Sequence, residues 1–244
     1  MSKKSNFLFG AGIGLGLGLL FAPKSGKETR DDLSKSIKEL VDKAKDIDCK
    51  NLKNLNLANF STKNVTDMSY MFSDCTSLMS IDLSSFDINN VENISAMFFK
   101  CENLKKVNLS NLSTPNVNNM SFMFFNCKSL ISIDLSNFDT KNVNNMCSMF
   151  NGCVCLENVN LSSFDTKNVT NMQTMFFLCE NLERLNLSNF VTTNVNKYED
   201  IFWGCKNIKE IIINDKLTID SIKSQIKAVL SKEKTAKKLS DLKH

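Results

Sequence analysis

The sequence predicts an α/β solenoid of six to seven 26-residue strand–turn–helix units, and three observations predict it. Cysteines recur at Cys49, Cys75, Cys101, Cys127, Cys153, Cys179 and Cys205, always 26 residues apart. Phenylalanines (Phe72, Phe98, Phe124, Phe150, Phe176, Phe202) and aliphatic residues (Leu78, Leu104, Leu130, Leu156, Leu182, Ile208) keep the same step without insertion or deletion. Within each unit the apolar positions change period, from alternation to a spacing of three and four. A fixed period of this size belongs to chains whose units bury their apolar faces only against neighbours.

Composition sets the frame. A chain of 244 residues, 42% hydrophobic and 23% charged, has the balance of a folded protein. The net charge of +4 is concentrated at the ends. Residues 1–50 carry 10 Lys/Arg against 7 Asp/Glu, residues 214–244 carry 8 against 4, and residues 51–213 carry 12 against 15. Positive charge is therefore not gathered on the folded body, which argues against a nucleic-acid partner.

Residues 5–23 contain no charge and lie between Lys3-Lys4 and Lys24. As a helix they would extend about 28 Å at about 1.5 Å per residue, close to the hydrocarbon thickness of a bilayer. Gly10, Gly14 and Gly18 fall on one face of that helix, the small-xxx-small pattern that permits close helix packing and self-association. A cleavable signal peptide fits less well, because Leu20 occupies a position that wants a small residue and Pro23 follows Ala22. The expectation is a single-pass membrane anchor over 1–27. The stretch Leu20-Phe21-Ala22-Pro23-Lys24-Ser25-Gly26-Lys27-Glu28-Thr29-Arg30 resembles the YtxH-type N-terminal module of bacterial envelope proteins. That resemblance implies membrane association and brings no catalytic residue.

In residues 28–48, Leu33, Ile37, Leu40, Val41, Ala44 and Ile47 line one helical face. Such a helix would shield the open end of the first repeat or serve as a stalk. The solenoid is expected over 49–213. Each unit contains L-x-x-[IVL]-x-L-S-x-F, as in Leu130-Ile-Ser-Ile133-Asp-Leu135-Ser-Asn-Phe138, where alternation marks a strand with one side in the core. A polar turn follows. Then Val143, Met146, Met149, Phe150 and Cys153 occupy an arc of roughly 120° at about 100° per residue, the expectation for a short helix. Strand plus short helix at this length is a leucine-rich repeat.

The wording N-V-x-x-M-x-x-M-F-x-x-C-x-x-L-x-x-I-x-L-S-x-F-D-T, as in Asn168-Val-Thr-Asn-Met172-Gln-Thr-Met175-Phe176, resembles the BspA-type leucine-rich repeats of bacterial surface proteins and mycoplasma surface antigens. The resemblance implies a surface-displayed solenoid that binds host or envelope proteins. Beyond Ile213, the positions Ile219, Ile222, Ile226, Val229 and Leu230 give an amphipathic helix, expected to cap the array over 214–244 ahead of a lysine-rich tail.

Catalysis has little to work with. His244 is the only histidine and ends the sequence, and there is no Gly-rich phosphate loop, so no enzymatic activity, cofactor or metal is expected. The cysteine column reads as buried thiols, although neighbouring rungs would stand within disulfide reach in an oxidising compartment. Two surfaces remain as protein-binding candidates. The outward strand column Asn56, Asp82, Asn108, Asp134, Asn160 and Asn186 would face a concave sheet. One residue past each core phenylalanine runs an outer aromatic stripe, Phe99, Phe125, Phe177 and Trp203, which is either packed between repeats or offered to a partner. The functional expectation is a membrane-anchored adhesion or host-contact protein. The alternative is an envelope scaffold on the cytoplasmic face.

Overall fold

A computed structural model of the chain describes residues 50, 53–55, 57, 62–63, 65–214 and 219–241. The expected anchor with Gly10, Gly14 and Gly18, the 28–48 helix and Asn56 lie outside the described residues. Among the described residues no helix is long and apolar enough to cross a membrane.

Seven short strands recur at the 26-residue step: β1 (Asn54–Leu55), β2 (Ser80–Asp82), β3 (Lys106–Asn108), β4 (Ser132–Asp134), β5 (Asn158–Asn160), β6 (Arg184–Leu187) and β7 (Glu210–Ile213). All pairings are parallel and in register, as Ile81↔Val107 and Ile133↔Val159 show. Strand pairing forms β1-β2-β3, β4-β5 and β6-β7, with breaks between β3 and β4 and between β5 and β6. In β2 to β6 an inner residue turns toward the core: Ile81, Ile133 and Leu185 are buried while their flanking residues are exposed, and Val107 and Val159 are partly buried.

The segment expected to be a short helix is not one. It is a run of tight turns, and this corrects the strand–turn–helix unit to strand–turn. Alternate amides reach forward to the next coil, as in Tyr70 N–H to Ser95 C=O (3.0 Å) and Phe72 N–H to Met97 C=O (2.8 Å). The residues between close i→i−3 turns, such as Ser73 N–H to Tyr70 C=O (3.0 Å). Two positions per coil are left-handed: Tyr70 and Asp74, Phe122 and Asn126, Thr174 and Leu178 have φ of 52–60°, and Gly152 and Gly204 have φ of 76° and 79°. An α-helix would have satisfied its amides internally. Here half of them stitch coils together instead. The buried set is nonetheless the one the spacing selects, since Val143, Met146, Met149, Phe150 and Cys153 are all fully buried.

Three Asx turns bend most coils. Asp134 Oδ1 accepts from Ser136 N–H (2.9 Å), Asp139 Oδ1 from Lys141 N–H (3.2 Å) and Asn145 Oδ1 from Cys147 N–H (3.1 Å). Short polar side chains favour this geometry because they bond their own backbone two residues on.

Inside, the columns form ladders. The rings of Phe72, Phe98, Phe124, Phe150, Phe176 and Phe202 stack with centroids 5.4–6.0 Å apart. Thr140 is fully buried, and its Oγ1 donates to Asp165 C=O (3.0 Å) and accepts from Asp165 N–H (2.8 Å). Asn142, Asn168 and Asn194 each donate from Nδ2 to a backbone carbonyl of the preceding coil at 2.6–2.7 Å. The expected C-terminal cap is present as α1 (Asp220–Asp241), which buries Ile222, Ile226 and Val229 against the end of the core. Gln225 Nε2 ties it to Tyr198 C=O (3.0 Å).

Candidate interaction surfaces

The strand column stands where the alternation places it, exposed on the sheet, but its inner oxygens are engaged. Asp82, Asn108, Asp134, Asn160 and Asn186 each accept the N–H of the serine two residues on, at 2.8–3.1 Å. These bonds hold the Asp82 carboxyl below the usual carboxylate range, with the Ser84 hydroxyl as the leading cause and the Ser84 N–H and Asn108 side chain adding to it. Asp134 is lowered in the same way, first by the Ser136 N–H, with burial opposing. The column is therefore first a set of corner fasteners. Around the break between β3 and β4 the structure gathers Asp82, Asn108 and Asp134 into one depression of about 800 Å³, with Lys105, Lys106 and Ile131 on its walls. Asn160 and Asn186 lie outside it. Met79 and Ile131, 46% and 48% exposed, stand beside the column in a register that the strand pattern does not mark as apolar.

The aromatic stripe lies on the outer face of the turn segment. Phe99, Phe125 and Phe177 are half-buried and Trp203 is 56% exposed. They form two stacked pairs, Phe99–Phe125 at 4.8 Å and Phe177–Trp203 at 4.7 Å, separated by the coil that carries Asn151. Phe122 packs its ring against Phe125 (5.8 Å), and Tyr70, 41% exposed, leans toward Phe99 (6.5 Å). Lys100 Nζ sits 5.2 Å above the Phe99 ring. The stripe packs between neighbouring coils and stays partly exposed.

The described part of the cysteine column lies in the core. Cys101, Cys127, Cys153, Cys179 and Cys205 are buried free thiols. Each donates to the carbonyl of the phenylalanine 29 residues back, as in Cys101 Sγ to Phe72 C=O (2.9 Å) and Cys153 Sγ to Phe124 C=O (3.0 Å). Burial pushes the Cys101 and Cys205 thiols up to about 12. Cys75 is disulfide-bonded. Among the described residues no group of His, Cys, Asp or Glu is placed to hold a metal ion.

In-register parallel strands, stacked core columns and a helical cap define a leucine-rich-repeat-type solenoid. The chain belongs to the family described as Mycoplasma protein of unknown function, DUF285, whose model matches residues 35–133 and 127–241. Among solved structures the chain is similar to the crystal structure of the T. pallidum leucine-rich repeat protein TpLRR, at 15% identity and a TM-score of 0.40, over 68% of this chain and 77% of that one. No curated protein matches.

Proposed function

We propose that this protein is a non-enzymatic interaction solenoid, anchored in the membrane through residues 5–23, that presents its outer aromatic stripe to a protein on a host cell or in the envelope. The observation that carries the reading is the pair of half-exposed aromatic patches, Tyr70/Phe99/Phe122/Phe125 and Phe177/Trp203. Large aromatic side chains dominate interface energetics because they bury much area at little entropic cost. The Asn/Asp column offers no such anchor and serves as the polar rim. The depression around Lys105 and Lys106 is the place on that face where a partner side chain finds depth.

Two measurements test it. Protease shaving of intact cells removes the peptides of 65–214 if the solenoid is displayed; full protection places it on the cytoplasmic side and leaves the scaffold reading. Binding of the labelled chain to cultured host cells falls at least tenfold in a Phe125→Ser/Trp203→Ser variant whose melting temperature stays within a few degrees. Unchanged binding by that folded variant sinks the stripe as the contact surface.

A further inference from the structure

From the position of Met172 onward the bonds between turn segments run forward, whereas just ahead of it they run backward, as from Lys197 N–H to Thr170 C=O (3.2 Å). In each of five successive interfaces, four amides of one coil donate to carbonyls of the next, for example Met172, Thr174, Phe176 and Leu178 N–H to Lys197, Glu199, Ile201 and Trp203 C=O at 2.7–3.0 Å. Two of the four donors in each coil, four residues apart, are left-handed, as at Thr174 and Leu178, and the coil thereby turns these N–H groups toward its C-terminal neighbour. A one-way ladder must end in a row of donors.

That row is the last coil. Tyr198, Asp200, Phe202 and Gly204 occupy the four donor positions, and their N–H groups have no acceptor among the described residues. The cap α1 engages this coil through Gln225 and Tyr198, and its Ile222 lines a small cavity with Ile201 and Phe202, while the neighbouring Glu199, Asp200 and Trp203 remain exposed. Glu199 and Asp200 form no ion pair among the described residues, whereas neighbouring Lys206 is held by Glu180 at 2.9 Å. Trp203 stacks on Phe177 on one side only. Donors at alternate residues, two unpaired carboxylates and a half-free indole lie along one edge.

We infer that this C-terminal edge captures an extended basic segment of a partner protein, which adds to the turn ladder as a further coil would. The partner supplies backbone carbonyls at alternate residues, Lys or Arg side chains opposite Glu199 and Asp200, and an apolar ring over the free face of Trp203. Addition of a chain to an unpaired backbone edge is a general recognition mode, with main-chain bonds giving affinity and flanking side chains giving specificity. The surface is separate from the Phe99/Phe125 patch and shares Trp203 with the second patch of the stripe.

The probe is the capped peptide Ac-(Lys-Phe)4-NH2, with Ac-(Glu-Phe)4-NH2 as the charge control, added to the full chain in mild detergent. Trp203 is the chain's one tryptophan and reports its own edge. Without peptide, the amides of Asp200, Phe202 and Gly204 exchange with solvent at least a hundredfold faster than those of Thr174, Phe176 and Leu178. The lysine peptide slows them at least tenfold and shifts Trp203 emission to the blue saturably. Glu199→Gln/Asp200→Asn, which keeps a residue tolerant of the left-handed conformation, weakens that binding at least fivefold and leaves host-cell binding through Phe125 intact. Equal exchange at the two coils overturns the proposal, as does an equal response to the glutamate peptide, or an emission shift without amide protection. Protection that rises with protein concentration in the absence of peptide assigns the edge to a second copy of the chain and overturns it also.

Discussion

Thr140 shows how a buried polar residue becomes structural. Its hydroxyl closes a reciprocal pair with Asp165 N–H and C=O, and the same exchange joins Thr62 to Asp87 and Thr166 to Val191. Ile88 occupies the equivalent place in its own coil, so the ladder has one apolar rung. Thr140→Val keeps the volume but strands two backbone groups, and loses about 1–3 kcal/mol in chemical denaturation. The corner carboxylates give a pH signature. Asp82 and Asp134 have folded-state values below the unfolded ones, so their contribution is present above the unfolded carboxylate range and is lost as pH falls through the folded values. Melting temperature accordingly drops below about pH 4, and Asp82→Asn/Asp134→Asn, which copies the Asn of neighbouring coils, flattens that drop. An unchanged pH profile in the double variant removes these corners from the account.

The turn segment is the element where sequence and structure part. Spacings of 0, 3, 6, 7 and 10 select the buried face of a helix, and the same residues are buried here in consecutive turns. Apolar periodicity reports which positions face inward, and two backbones share this pattern. The discriminating signal lay in a different column. Asp74, Lys100, Asn126, Gly152, Leu178 and Gly204 occupy one register position, and four of the six are types that tolerate positive φ. The strands, by contrast, were legible from alternation alone, because a one-residue slip would expose Ile81 or Ile133. Of the candidate surfaces, the stripe's membership was readable, but its pairing into two patches was not. Which ring face meets solvent depends on the turn geometry. Gly152→Ala tests the element directly. Its Cβ would run into Asn126 Oδ1 and force a left-handed alanine, for a loss of roughly 1–3 kcal/mol in thermal or chemical unfolding.

At the scale of the whole molecule, cohesion comes from neighbour to neighbour. Phenylalanine, threonine, asparagine and cysteine ladders each link one coil to the next, so stability accumulates by interfaces rather than around one centre. Thiol chemistry reads this out. The thiolate is the reactive form, and the five buried column thiols are held protonated by burial. A disulfide-exchange reagent labels the half-buried Cys147 and Cys155 quickly in the native protein. Cys101, Cys127, Cys153, Cys179 and Cys205 react only on unfolding, and for a cooperative array they do so together. Labelling of Cys205 well ahead of Cys127 would show instead that the array frays from its capped end.

The ladders also govern how such a chain can change in length. Bonds from Asn, Thr and Cys reach back 27 residues, forward 25 and back 29 respectively, and each reach counts the same full circuit of the coil. One residue gained or lost anywhere in the circuit would break every ladder at that coil at once. A duplication or loss of one whole copy of the coding segment breaks none. The gene is thus free to lengthen or shorten by recombination between its own copies, and closed to drift by single codons.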